Sequence, residues 1–137
     1  MATIKGTNNA ETKYGTAAID TIYGYGGNDS LYGRAGNDTI WGGLGSDKIW
    51  GEAGNDILRG EDGDDFIYGG DGNDVVYGGV GNDTLYGDAG TDTVKGDAGN
   101  DTIKGGTGIG YLYGGDGNDQ IHYDPTMANV SAIGSYL

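Results

Sequence analysis

The stretch GGVGNDTLYGDAGTDTVKGDAGNDTIKGG, from Gly78 to Gly106, says nearly the same thing three times. Each pass opens on glycine, carries a second glycine three places on, an Asp two further, and one aliphatic residue two beyond that. Outward from this stretch the nine-residue period holds, without insertion or deletion, over eleven units from Gly24 to His122. Two looser units in the same register precede them, GTNNAETKY (6–14) and GTAAIDTIY (15–23), and Ile4 falls on the aliphatic phase. One period therefore governs residues 3–122.

Each position of the unit has a physical reading. Position 1 is Gly in all thirteen units and position 4 is Gly in all eleven regular ones, which calls for positive φ or for backbone too crowded for a Cβ. Position 8 is Ile22, Leu31, Ile40, Ile49, Leu58, Ile67, Val76, Leu85, Val94, Ile103, Leu112 and Ile121. A single aliphatic residue between outward neighbours is a three-residue strand with its middle side chain inward. Recurrent glycine and the absence of a 3.6-residue apolar spacing exclude a helix. Each unit thus reads as a six-residue turn and a very short strand, and two units complete one coil. Coils stacked about 4.8 Å apart give two parallel sheets with the position-8 residues between them. The expected fold is all-β: one right-handed parallel β-roll, a β-solenoid of 18-residue coils. Residues 1–23 are its degenerate N-terminal repeats or cap and 24–122 its regular body. Residues 123–137 are a non-repeat segment, either a cap or the point where a longer protein was cut.

The 137 residues include 32 Gly, one Pro and no Cys, and carry a net charge of -14, a composition that reads as disorder for the bare chain. Such an acidic body repels nucleic acid and anionic lipid, and no apolar run is long enough to span a membrane. A single column of aliphatic residues offsets little of the entropy lost in ordering a glycine-rich chain. Stacking also aligns the position-6 carboxylates, where like charges repel. A divalent cation between successive carboxylates reverses that sign, and glycine turns supply carbonyl oxygens beside them. An all-oxygen set without Cys or His suits Ca²⁺ better than Mg²⁺, which demands tight octahedral geometry and keeps its waters. One turn is half a site, so binding and stacking are a single event.

GGDGNDVVY (69–77) and GGVGNDTLY (78–86) resemble the RTX, or haemolysin-type, nonapeptide GGxGxDxUx of calcium-binding parallel β-rolls, and the likeness covers about 110 residues. The resemblance implies that each ion lies between one unit and the next but one. Carbonyls of positions 2 and 4 and the Asp of the first unit would face carbonyls of positions 1 and 3 and the Asp of the second. One site would use Tyr25, Gly27 and Asp29 with Gly42, Leu44 and Asp47. The next would use Arg34, Gly36 and Asp38 with Gly51, Ala53 and Asp56. The pattern continues through Asp65, Asp74, Asp83, Asp92, Asp101 and Asp119. Gly45, Gly54, Gly60, Gly63, Gly69, Gly72, Gly78, Gly81, Gly96, Gly99 and Gly114 supply carbonyls. Well-formed pairs begin at 24, 33, 42, 51, 60, 69, 78 and 96, so about eight Ca²⁺ are expected. Gly110 stands where an Asp is due, which weakens the site shared with Asp92. Unit 15–23 keeps Asp20 but has Ala18 for its second Gly. Unit 6–14 has Glu11 for Asp and Lys13 in the aliphatic slot, the mark of a frayed or capping coil. The resemblance further implies a secreted bacterial protein that leaves the cell by a type I route and folds in external calcium. In that reading the roll is a monomeric folding and secretion scaffold beside flanking domains, not an enzyme.

Position 9 is aromatic at Tyr14, Tyr23, Tyr32, Trp41, Trp50, Tyr68, Tyr77, Tyr86 and Tyr113, with Arg59, Lys95, Lys104 and His122 between. Alternate units fall on opposite faces, so these residues form two outward ladders. Cross-strand packing is the plain reading of them. A polysaccharide-binding surface, as in accessory modules of alginate epimerases or in adhesins, is the alternative. His122 has no nucleophile partner, and every regular Asp is claimed by the repeat, which leaves no spare catalytic pair. Asp124–Pro125 reads as a turn. Met127–Leu137 would close the last coil, and IGSYL echoes IGYLY (109–113).

Overall fold

The computed structural model describes residues 1–108 and 110–123 and the backbone of 131–132. Among the described residues the only regular elements are strands: β1 (Ala2–Lys5), β2 (Thr12–Tyr14), β3 (Asp20–Tyr25), β4 (Ser30–Ala35), β5 (Thr39–Leu44), β6 (Lys48–Ala53), β7 (Ile57–Asp62), β8 (Phe66–Asp71), β9 (Val75–Val80), β10 (Thr84–Ala89), β11 (Asp92–Ala98), β12 (Thr102–Lys104), β13 (Gly110–Asp116), β14 (Gln120–His122) and β15 (Ser131–Ala132). Odd-numbered strands form one parallel sheet and even-numbered strands the other. Ile22 pairs with Ile40 and Leu31 with Ile49, so each coil advances the register by 18 residues, as the doubled nonapeptide predicts. Among the described residues no helix is long and apolar enough to cross a membrane.

The core is the position-8 column. Eleven side chains from Ile22 to Leu112 are fully buried between the sheets, and Ile4 and Ile121 pack against its two ends. Lys13 enters the same column in register with Leu31, half-buried, and its Nζ lies 3.6 Å from Glu11 Oε2. The first coil is thus laid down as an ordered layer whose charge is paired.

The strands differ from the sequence expectation in length. From β4 to β10 they run six residues, through positions 7–9 of one unit and 1–3 of the next, which leaves only positions 4–6 as the turn. The cause is a second left-handed residue at position 2. Tyr25, Arg34, Glu52, Glu61, Asp88 and Asp97 have φ between 70° and 77°, as well as the expected glycines at position 4. The chain turns its corner there while inter-coil hydrogen bonding continues: Gly36 N–H donates to Ala53 O at 3.0 Å, and Gly54 N–H to Asp71 O at 2.9 Å. Gly at position 2 in five regular units was the available signal.

Position 9 forms the two outward ladders. On the even sheet Tyr14, Tyr32, Trp50, Tyr68 and Tyr86 stack in one column at 4.5–5.8 Å, with Lys104 Nζ over Tyr86. These rings spend their faces on one another and turn edges outward, which is the packing reading of the aromatic positions. His122 is exposed at the end of β14. At the C-terminus β15 pairs with β13, Tyr111 opposite Ser131, two residues out of the 18-residue register. The Asp124–Pro125 turn and the remainder of the closing segment, IGSYL included, lie outside the described residues.

Candidate metal centre

The turns stack along the two edges of the roll, and the position-6 carboxylates stack with them. Asp29, Asp38, Asp47, Asp56, Asp65, Asp74, Asp83, Asp92 and Asp101 are each no more than 2% exposed. One oxygen of each is fixed by the fold. Asp38 Oδ1 accepts from Asp20 N–H at 2.7 Å, Asp56 Oδ1 from Asp38 N–H at 2.8 Å and Asp74 Oδ1 from Asp56 N–H at 2.8 Å. The same link runs up the other edge from Glu11 to Asp119, which is half-buried in the last coil. The second oxygen, Oδ2, is buried without a hydrogen-bond partner in all nine. Leaving one buried carboxylate oxygen unmatched is costly, and nine of them in phase suit a bound positive charge.

The backbone converges on the same gap between successive coils. A Cβ at Gly33 would stand 2.7 Å from Asp38 Oδ2 and 2.7 Å from Gly51 O, and one at Gly69 would stand 2.6 Å from Asp74 Oδ2 and 2.6 Å from Gly87 O. Position 1 must therefore be glycine because carboxylate and carbonyl oxygens crowd the space a side chain would take. From the lower coil the carbonyls of positions 2 and 4 point up: Tyr25 O meets Gly43 and Gly36 O meets Gly54. From the upper coil the position-1 carbonyl of Gly51 points down at Gly33, and the position-3 carbonyl of Ala53 points down to accept from Gly36 N–H. Among the described residues no three Asp, Glu, His or Cys side chains gather. The donor set is instead two carboxylates with backbone oxygens, hard ligands that suit Ca²⁺.

The electrostatics agree. Burial, opposed by the donated backbone N–H and reinforced by the next carboxylate in the column, pushes Asp47, Asp65 and Asp83 up to about 7. Burial likewise pushes Asp38, Asp56, Asp74, Asp92 and Asp101 up to about 6, and raises Asp29. Burial thus disfavours their ionised form unless a positive charge is bound beside them. Gly110 is buried opposite Asp92, and the column offers no carboxylate there.

Two features escaped the sequence reading. In the degenerate units the position-2 threonine serves the position-6 acid of its own turn: Thr16 N and Oγ1 donate to Asp20 Oδ2 at 2.5 and 2.8 Å. Thr7 N and Oγ1 do the same for Glu11, both at 2.9 Å. The signal was a Thr four residues before each of these two acids. The position-5 residues form a second ladder outside the carboxylates, in which Asn73 N–H donates to Asn55 Oδ1 and Asn100 N–H to Asn82 Oδ1. Its signal was Asn in seven regular units.

A solenoid that sets buried carboxylates and carbonyl oxygens along the gaps between its regular coils is a cation-binding repeat protein. The family model described as RTX calcium-binding nonapeptide repeat (4 copies) matches residues 14–49, 41–76, 50–85, 77–112 and 96–124, and the chain belongs to this family. No curated protein matches the chain.

Proposed function

We propose that this calcium-binding roll is a folding device: about eight Ca²⁺ occupy the paired turns, and the chain closes into its solenoid only when they bind. The observation that carries the reading is the row of nine buried Oδ2 atoms without partners. Their charge opposes folding until a cation joins successive coils. The ligands are those of the eight unit pairs beginning at 24, 33, 42, 51, 60, 69, 78 and 96. Low cytosolic calcium then keeps the chain open for export, and calcium outside the cell folds it into a scaffold beside the domains of a secreted protein.

Circular dichroism during a Ca²⁺ titration at neutral pH, with Mg²⁺ as control, tests this. The expected result is coil without calcium and a cooperative rise of β signal with it, absent with Mg²⁺. A chelator-treated protein as rich in β structure as the loaded one overturns the reading.

A further inference from the structure

The outer face of the odd-strand sheet carries a notch whose side chains the calcium reading does not use, although it draws on backbone carbonyls of the same residues. Its origin is a missing side chain. Position 2 runs along this edge as Tyr25, Gly43 and Glu61 in register, so the coil between Tyr25 and Glu61 contributes no side chain at that position. The result is a cavity of about 540 Å³, lined by Tyr23, Tyr25, Trp41 and Leu44 together with the acids Glu61 and Asp62. Tyr23 stacks on Trp41 at 4.8 Å and lies nearly parallel to Tyr25 at 5.7 Å, so all three ring planes run across the roll. Tyr25 stands in register with Gly43, so no position-2 side chain lies opposite it in the next coil. Tyr25 is 45% exposed and Leu44 61%.

The same ladder shows what its rings accept. Two coils on, the Arg59 guanidinium lies 4.5 Å from the Tyr77 centroid, and Lys95 Nζ sits 5.6 Å from Tyr77 and 5.4 Å from Tyr113. There the chain supplies its own cations. Among the described residues no Lys or Arg lies over Tyr23, Tyr25 or Trp41. Arg59 stands in register with Trp41 and two residues before Glu61, but its guanidinium lies over Tyr77, so the notch offers aromatic rings and two carboxylates with no described Lys or Arg over those rings.

We propose that this notch binds a small organic cation with an alkylated ammonium head, held between the aromatic faces and the Glu61 and Asp62 carboxylates. Ring quadrupoles attract a soft, weakly hydrated cation, and the carboxylates supply the opposite charge. An anion is repelled by the same acids. A bare metal ion gains nothing from the aromatic walls, and a neutral sugar leaves both charges unmatched.

Choline chloride is the probe. In calcium-saturated protein carrying Trp50→Phe, Trp41 is the sole tryptophan, so its emission reports the notch. Choline is expected to change that emission saturably, whereas sodium chloride at equal ionic strength and glucose do not. The half-saturating concentration should rise about tenfold or more in Glu61→Gln/Asp62→Asn, whose β signal is first matched to the parent. Leu44→Lys, which brings an ammonium of the chain's own to the rim, should abolish the response. No saturable response, an equal response to glucose, or a choline titration unchanged in the double variant overturns the proposal. The calcium reading is judged separately, by its β signal.

Discussion

The two units before Gly24 and the nine units bearing the orphaned carboxylates stack in the same columns, yet they satisfy their position-6 acids in opposite ways. Asp20 Oδ2 takes two hydrogen bonds from Thr16, and Glu11 takes two from Thr7. Asp29, Asp38 and the seven that follow have nothing on Oδ2. The difference begins one link earlier, in the backbone. Thr7 and Thr16 stand outside the left-handed set, and their N–H groups aim at the acid. In regular units position 2 flips to positive φ, whether it is Gly43 at 101° or Arg34 at 77°, and that N–H no longer reaches the acid. A non-glycine residue at such φ costs about 1 kcal/mol or more. The regular turns accept that strain and a buried charge together, which is sensible only if a cation repays both. The first two units close their acids with hydrogen bonds from Thr7 and Thr16.

Acidity should separate the two regions most sharply. Burial raises the eight acids from Asp38 to Asp101 to about 6–7, so in the metal-free protein their protonation favours the fold. That stabilisation is fully present below the unfolded carboxylate pKa of about 3.9 and is lost as pH rises through 6 to 7. Asp20 has the opposite sign. Burial pushes it up, but the hydrogen bonds from Thr16 and Ala2 outweigh that and leave it lowered. Its contribution is present above the unfolded pKa and lost as pH falls through its depressed folded value. Chelated protein taken from pH 7.5 to pH 5 should therefore gain β structure, and apparent calcium affinity should fall over the same interval. Circular dichroism and calcium titration at each pH check this. A metal-free chain no more ordered at pH 5 than at pH 7.5 would break the comparison at its root.

The next effect is local. Asp74 belongs to the pairs beginning at 51 and 69, whereas Asp20 already has its partners. Asp74→Asn should lower bound calcium at saturation by about two ions and stabilise the metal-free fold at neutral pH, because it removes an unmatched charge. Asp20→Asn should leave the ion count unchanged and destabilise the loaded protein by about 1–3 kcal/mol, the cost of breaking charge-assisted hydrogen bonds. Equilibrium dialysis counts the ions and urea melts read the stability. Equal loss of calcium in both variants would erase the distinction between the regions.

The architecture was legible wherever a contact recurs every coil, because a recurring contact demands a recurring residue type. Ile22 through Ile121 announced the core and Asp29 through Asp101 the charged edges. The 18-residue register followed from doubling the period. Strand length was not legible. Tyr25, Arg34 and Glu61 are residues that avoid left-handed backbone when judged one at a time, and only the stacked ladder holds them there. The role of Thr16 was hidden for a related reason. Position 2 varies among Thr, Tyr, Arg, Gly, Glu and Asp, so a threonine there looks like one more surface residue until the carboxylate beneath it is seen. The notch at Gly43 arises from an absence between two side chains, which a linear sequence does not display.

The finest test acts on one hydroxyl. Thr16→Val removes Oγ1, which donates to Asp20 Oδ2 and accepts from Ala18 N–H at 3.2 Å, and leaves the Thr16 N–H bond to Asp20 in place. The side chain keeps its shape, so packing changes little. The expected cost is about 1 kcal/mol. It should be the same in calcium-loaded protein at pH 7.5 and in chelated protein at pH 5, since neither hydrogen bond involves a metal-facing oxygen. Urea melts under both conditions give the two numbers. A Thr16→Val change that instead shifts the calcium half-saturation or ion count would place Asp20 inside a metal site, and the first coil would then be held as the others are.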